Sequence, residues 1–140
     1  MRHLGIDHGQ KRIGVAISDA TGRIARPLTI VAHTSRTADA NAIAELATQH
    51  AVDEIVIGLP TDADGEIGPR ARTVQRFGAV LETLVNCSVK YWDESYSTRE
   101  AWAVRHRAGM GRKKASQTPI DAEAAAIILQ SYLDAEPPPE

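Results

Sequence analysis

The stretch Leu4-Gly5-Ile6-Asp7-His8-Gly9-Gln10-Lys11-Arg12-Ile13-Gly14-Val15-Ala16-Ile17-Ser18 decides the fold. It reads as two strands joined by a short turn. Residues 3–7 are apolar and end on a carboxylate. Residues 12–18 alternate, with Ile13, Val15 and Ile17 on one face and the small Gly14 and Ala16 on the other. Small residues on that face imply the close approach of something bulky. The link His8-Gly9-Gln10-Lys11 carries turn chemistry, and Gly9 lets backbone or a ligand come near Asp7. A carboxylate ending a strand at the centre of a sheet is costly unless it is paired or bound to metal. An aspartate that caps its own hairpin explains Asp7 equally well.

Outward from this hairpin, Ile24 to Ala32 reads as a third strand, and Pro27 assigns it to an edge or a bulge. The period then changes. Ala40, Ile43, Ala44, Leu46 and Ala47 have helical spacing over roughly 38–50. Glu54-Ile55-Val56-Ile57-Gly58 is a continuous apolar strand of the kind buried on both faces, ended by Leu59-Pro60. A loop rich in Asp and Gly follows from Thr61 to Pro69. A helix is expected over about 70–85, with Val74, Phe77, Leu81 and Leu84 as its apolar stripe, and a fifth strand over 88–92. Ser97 and Glu100 form a capping box that opens a helix to about Arg107. Residues 109–117 form a basic loop, and Thr118-Pro119 caps a last helix that runs to about Asp134.

A meander followed by strand–helix crossovers predicts an α/β fold, a mixed five-stranded sheet flanked by helices on both faces. The expected organisation is one domain over 1–134 with a disordered tail over 135–140. A chain of 140 residues is long enough to bury a real core. Hydrophobic residues make up 43% and charged residues 24%, ordinary for a globular chain. The longest apolar run, Ala124 to Leu129, is far too short to span a bilayer, so no membrane partner is expected. No charged-then-apolar leader opens the chain, and a cytoplasmic location is expected. The single cysteine, Cys87, excludes an internal disulfide and a thiolate metal site. Net charge is −2, but unevenly spread. Residues 99–114 hold Arg99, Arg105, Arg107, Arg112, Lys113 and Lys114 against Glu100 alone, which leaves −7 on the rest. Such a segment is either a surface that tracks phosphates or a solvated helix face and loop.

Two further acidic sites sit where buried elements begin or end. Asp93-Glu94 follows the fifth strand, and the carboxyl ends of parallel strands line ligand crevices. Glu94 is the preferred metal ligand here and Asp93 the alternative. Asp121 lies in the first turn of the last helix, where an acidic side chain also favours the helix dipole. It shares a stripe with Ala125, Ile128, Leu129 and Tyr132, the core side of that helix, whereas Glu123 is expected in solvent. If Asp7, Glu94 and Asp121 converge, each pair of like charges repels by roughly 4 kcal/mol at intermediate dielectric. Either one carboxylate holds a proton or a cation sits among them. Oxygen ligands select Mg²⁺ or Mn²⁺, and two such ions clamp an in-line displacement at phosphorus.

Four motifs, in order, carry a resemblance over roughly residues 3–134. They are Gly5-Ile6-Asp7-His8-Gly9 with Arg12-Ile13-Gly14-Val15-Ala16, Ile57-Gly58-Leu59-Pro60 with Asp64-Gly65, Asp93-Glu94-Ser95-Tyr96-Ser97-Thr98, and Asp121-Ala122 through Ile128-Leu129-Gln130-Ser131-Tyr132. The chain resembles the YqgF family of pre-16S rRNA nucleases, which have an RNase H-like fold related to RuvC-type Holliday junction resolvases. The resemblance implies a metal-dependent phosphodiesterase acting on the 5′ end of a small-subunit rRNA precursor, with catalytic carboxylates at Asp7, Glu94 and Asp121. The chain departs from the family pattern at His8, where an aromatic residue is common, and at Ser95, where arginine is usual. It also has Gln117-Thr118-Pro119 where the family carries a Gly-Lys pair, which leaves Lys113 and Lys114 to substitute.

Further candidates for nucleic-acid contact are Arg12 after the first turn, Arg70 and Arg72 at the head of the second helix, and Arg105, Arg107, Arg112, Lys113 and Lys114 in the basic segment. Trp92 reads as core. Trp102 on the basic helix reads as core or as a platform for a base. The expected partner is RNA, with branched or single-stranded DNA as the alternative substrate, for a monomer or a homodimer. A ribosome-assembly module that binds RNA without cleaving it is the remaining class. An actin-type ATPase also opens on D-x-G, but it needs two large lobes, and no Walker-type phosphate loop is present.

Overall fold

The first strand, β1 (His3–His8), runs through the middle of a five-stranded sheet of order β3-β2-β1-β4-β5. This computed structural model describes residues 1–61, 67–94 and 120–135, apart from the side chains of Ile120 and Asp121. Strand β2 (Arg12–Ser18) returns antiparallel to β1 and sets Gly14 opposite Asp7. The edge strand β3 (Ala25–Ala32) is antiparallel to β2. Pro27 has no N–H to donate, and it sits on this edge where the register slips between Val15 and Ala16. Strands β4 (Glu54–Leu59) and β5 (Ser88–Asp93) add in parallel on the other side of β1. The sheet is mixed, as the order of elements predicts.

Helices cover both faces. Helix α1 (Arg36–Gln49) and helix α2 (Pro69–Leu84) lie on one. There Leu4, Ile6, Ile13, Val15, Ile17, Ile55 and Ile57 from the sheet pack with Ile43, Val74, Phe77 and Leu81. Helix α3 (Ile120–Ala135) covers the other face, where Ala16 and Val56 meet Ala125, Ala126, Leu129 and Tyr132. The bulky neighbour implied by the small residues of β2 is therefore α3. The closest approach is at Gly5, where a Cβ would stand 2.6 Å from Leu129 Cβ and 3.1 Å from the Ala125 carbonyl oxygen.

The direction of α3 follows from its far end. The Tyr132 hydroxyl donates to Glu54 Oε1 at 2.8 Å, and His3 Nε2 lies 3.2 Å from the same oxygen. Both partners open their strands, so α3 runs antiparallel to β1 and β4. Trp92 is half-buried beside it, donating from Nε1 to Ser131 Oγ at 3.0 Å and meeting the Tyr132 ring edge-on. Passing from Gly5 to Asp7 advances about 6.6 Å along β1. That distance matches about four residues back along the helix, so α3 begins toward the carboxyl end of β1.

Several elements differ from expectation. Helix α1 begins at Arg36, earlier than its apolar spacing shows, because Ser35 caps it by accepting from the Ala38 N–H at 3.1 Å. Leu84 is 41% exposed and leaves the stripe that Val74, Phe77 and Leu81 form. It is the last helical residue, and the chain turns there so that Val85 and Cys87 reach the core instead. Glu123 is half-buried, not solvated. Strand β5 extends one residue further and takes in Asp93, and α3 reaches Ala135. The helix expected from Ser97 to Arg107, the loop over 109–117 and the Thr118-Pro119 cap lie outside the described residues. Among the described residues no helix is long and apolar enough to cross a membrane.

The contact at Gly5 yields a stability prediction. Gly5→Ala forces apart a helix and a central strand that have no slack between them. Overpacking of this kind costs about 1–3 kcal/mol. The expected result is a lower urea midpoint at an unchanged m-value.

Candidate active site

Alternation along β1 sends Leu4, Ile6 and His8 to the α1/α2 face and Gly5 and Asp7 to the α3 face. Asp7 therefore lies half-buried at the carboxyl end of the central strand, on the face that α3 covers. Strand β4 pairs Ile57 with Ile6, so Gly58 is the next residue on the neighbouring strand. Gly58 in turn pairs with Trp92 of β5. Glu94 stands two residues beyond Trp92 and folds back over Gly58. A Cβ at Gly58 would lie 2.9 Å from Glu94 Oε1, 3.1 Å from its Cγ and 2.7 Å from Ile128 Cδ1 of α3. The missing side chain at position 58 is the space that Glu94 occupies.

The electrostatics agree with this geometry. The Glu94 carboxyl is pushed above its ordinary value, first by burial, then by the Asp7 charge, with Asp93 adding to the effect and Arg70 opposing it. Asp7 and Glu94, 87 residues apart in sequence, act on each other as like charges at one site. Asp93 points elsewhere: its Oδ1 accepts from Thr61 Oγ1 at 3.2 Å, just past the end of β4. The two residues that the sequence leaves as alternatives are thus separated, with Glu94 on the Asp7 side and Asp93 tied to the loop. Two crowded oxygen donors whose ionisation is mutually opposed suit a hard divalent cation. Among the described residues no group of three or more His, Cys, Asp or Glu side chains is gathered as a metal cage. The Asp121 side chain, the third of the expected set, lies outside the described residues.

Of the basic candidates, Arg12 is exposed at the first position of β2, and the alternation of that strand gives it the face of Gly14 and Asp7. Arg70 is exposed in the first turn of α2 and donates from Nη2 to the His8 carbonyl at 3.4 Å. Its charge reaches both Glu94 and His8. Arg105, Arg107, Arg112, Lys113 and Lys114 lie outside the described residues, as does Trp102. Cys87 is half-buried, and burial pushes its thiol up, as an inert residue requires.

Beside this site is a group that sequence reasoning missed. His33, just past β3, hydrogen-bonds through Nδ1 to Asp39 Oδ2. Asp39 belongs to the first turn of α1 and is only 1% exposed. Its other oxygen accepts from the Thr34 N–H at 3.0 Å and lies 3.5 Å from the Thr34 hydroxyl. Burial alone would raise the Asp39 carboxyl, but the Thr34 N–H and the His33 ring outweigh it and hold the group below its ordinary value. His8 sits against the Phe77 ring, centroids 4.7 Å apart, and burial keeps its imidazole below the usual range. The spacing that marks α1 takes in its apolar residues alone, so nothing in the sequence pointed to this pairing.

Solved structures and relatives agree with the architecture. The class is the RuvC type of RNase H-like α/β fold. Thermus thermophilus RuvC in complex with a Holliday junction substrate superposes with a TM-score of 0.69, covering 96% of this chain and 94% of that one at 16% identity. The fowlpox virus Holliday junction resolvase gives 0.58 over 97% of this chain and 100% of its own, at 15% identity. A family model described as RuvX, Holliday junction resolvase, matches residues 1–135. The chain belongs to the RuvX family, the one its YqgF motifs resemble. It is 41% identical over 140 residues to a Myxococcus xanthus protein, covering all of this chain and 92% of that one. It is 44% identical over 133 residues to one from Chloroflexus aggregans, covering 94% and 92% respectively. Both are named "putative pre-16S rRNA nuclease".

The raised Glu94 carboxyl has a measurable consequence in metal-free buffer. In the unfolded chain Glu94 releases its proton near its ordinary value of 4.5, while in the folded chain it does so at higher pH. Between the two the folded state holds more protons, so stability falls as pH rises through that window. Glu94→Gln removes this dependence. With EDTA present, the variant is expected to melt higher than wild type at neutral pH, and the gap is expected to close toward pH 4.5. A gap that widens in acid would contradict the assignment.

Proposed function

We propose that this protein is a divalent-metal-dependent nuclease that hydrolyses RNA phosphodiester bonds and processes the 5′ end of pre-16S rRNA. The observation that carries the reading is Glu94 folded over Gly58, on the strand next to that of Asp7 and within reach of the Asp7 charge, at the carboxyl end of the central strands. The names of the relatives supply the substrate. Asp7 and Glu94 would hold the ions. Asp121 would complete the set from the start of α3, on the same face of the sheet as Asp7. Asp93, bonded to Thr61, would serve from outside by fixing the turn that delivers Glu94. Mg²⁺ or Mn²⁺, as a pair of ions, would supply an activated water and charge stabilisation at the scissile phosphate. Arg12 and Arg70 would steer the strand across the site, with Arg105, Arg107, Arg112, Lys113 and Lys114 extending the track.

The description of the family favours a second substrate, branched DNA, cut by the same chemistry. Both belong in one assay. Wild type, Asp7→Asn and Glu94→Gln are incubated with an RNA spanning the 5′ end of pre-16S rRNA, and separately with a four-way DNA junction. Each is run with Mn²⁺, Mg²⁺ or EDTA. The expected outcome is RNA cleavage that needs the metal and falls by at least about 10²-fold in either variant. Mn²⁺ should also raise the melting temperature of wild type but not of the variants, by mass action on the folded state. Junction cleavage without RNA cleavage would move the substrate to DNA. Full activity in Asp7→Asn would remove Asp7 from the chemistry.

A further inference from the structure

A cavity of about 220 Å³ opens beside the β1–β2 turn, lined by His8, Gly9, Gln10, His33, Arg70, Thr73 and Val74. It lies on the α1/α2 side of β1, opposite the face that carries Asp7, and is a separate feature from the carboxylates. Its chemistry is unlike theirs. One wall is Arg70, which leans over the end of β1 through its bond to the His8 carbonyl. A second is His33, whose Nδ1 is engaged by Asp39. That engagement fixes the ring and leaves Nε2 as the nitrogen that can meet a ligand. Asp39 is itself buried and held by Thr34, so the dyad is a rigid fixture and the acidic partner is withdrawn from the opening. The floor is the His8 ring, backed by Phe77, with Val74 beside it.

From this arrangement we infer that the cavity is a subsite for a phosphate group of the nucleic acid flanking the scissile one, gripped by Arg70 and by Nε2 of His33. The identity of the ligand rests on the nuclease reading. The site itself rests on the cavity and on the exposed His33 ring anchored by the buried Asp39. Its position supports the assignment: Arg70 influences Glu94 on one side and His8 on the other, so a strand crossing the carboxyl edge of the sheet meets both places. The volume exceeds that of a phosphate and admits its sugar as well. Among the described groups facing the opening, Arg70 is the one permanent cation, and its exposure means that replacing it leaves the core untouched.

The test uses the full chain carrying Asp7→Asn, in EDTA, so that neither cleavage nor metal contributes. Binding of a short single-stranded RNA is followed as salt is varied, with Arg70→Gln, His33→Gln or Arg26→Gln added. Arg26 lies on edge strand β3 at the level of Ile17, toward the opposite end of the sheet, and serves as a charge-matched control. Arg70→Gln should weaken binding several-fold and reduce the slope of log K against log salt by about 0.7, the loss of one phosphate contact on a single strand. His33→Gln should weaken binding as well, and Arg26→Gln should leave the slope alone. Separately, inorganic phosphate should shift the His33 ring resonances, and Arg70→Gln should abolish that shift. Unchanged slope and affinity in Arg70→Gln, or an equal loss in Arg26→Gln, would overturn the subsite even if wild type cleaves RNA. A wild type that cleaves neither RNA nor DNA, with the Arg70 slope change intact, would instead sink the nuclease reading and keep the subsite.

Discussion

The burial of Glu94 over Gly58, close enough to Asp7 to feel its charge, is the constraint on which the site depends. Two carboxylates at one partly buried site oppose each other's ionisation, and the folded protein must supply the energy to keep them there. The supply is visible nearby. Residues Leu4 and Ile6 lead directly to Asp7, Ile55 to Ile57 lead to Gly58, and all are fully buried. A central strand with neighbours on both sides and helices on both faces cannot relax away from the strain. Glu94 is held from the other direction, because Ile128 of α3 closes on Gly58 from above. The proposed cation relieves this crowding, which gives metal binding a folding contribution as well as a chemical one.

The two faces of the sheet divide the labour, and the division costs no extra residues. Successive side chains of a strand point opposite ways. One six-residue strand therefore delivers Asp7 to the carboxylate site and His8 to the neighbouring cavity. Arg70 stands where the two regions adjoin. Its charge lowers the Glu94 carboxyl, opposing Asp7, while it also disfavours a proton on His8. A bound phosphate near Arg70 would offset that charge and be felt at Glu94. The cavity and the carboxylates are thus electrostatically joined although they occupy opposite faces.

Much of this was legible in the sequence, for identifiable reasons. Period-two alternation in 12–18 and the apolar run at 54–58 are local signals, and they set the sheet and its layers. Pro27 announced an edge or a bulge, because a missing N–H has few places to go, and the strand has both. The small residues of β2 announced a close neighbour, which is α3. What was not legible depended on contacts between distant segments. Gly58 read as one more residue of a continuous apolar strand, whereas its role is to make room for a side chain 36 positions later. The His33–Asp39 pair joins a strand end to a helix start through tertiary packing, and no spacing rule encodes it. Leu84 fits a helical stripe by period, yet it ends the helix and stays 41% exposed while Val85 and Cys87 reach the core.

The choice between Asp93 and Glu94 shows how finely such a site depends on register. The two are adjacent acids, and composition cannot rank them. Strand β5 pairs Leu59 with Asp93 and Gly58 with Trp92. That register gives Trp92 and Glu94 the α3 face and leaves Asp93 on the other. A slip of one residue would exchange them, since every side chain of a strand changes face together. Two contacts resist the slip at this end. Thr61 captures Asp93, and Trp92 bonds to Ser131 in the middle of the α3 packing. The carboxylate on the Asp7 side of the sheet is therefore chosen by the Thr61 hydroxyl and the Trp92 indole.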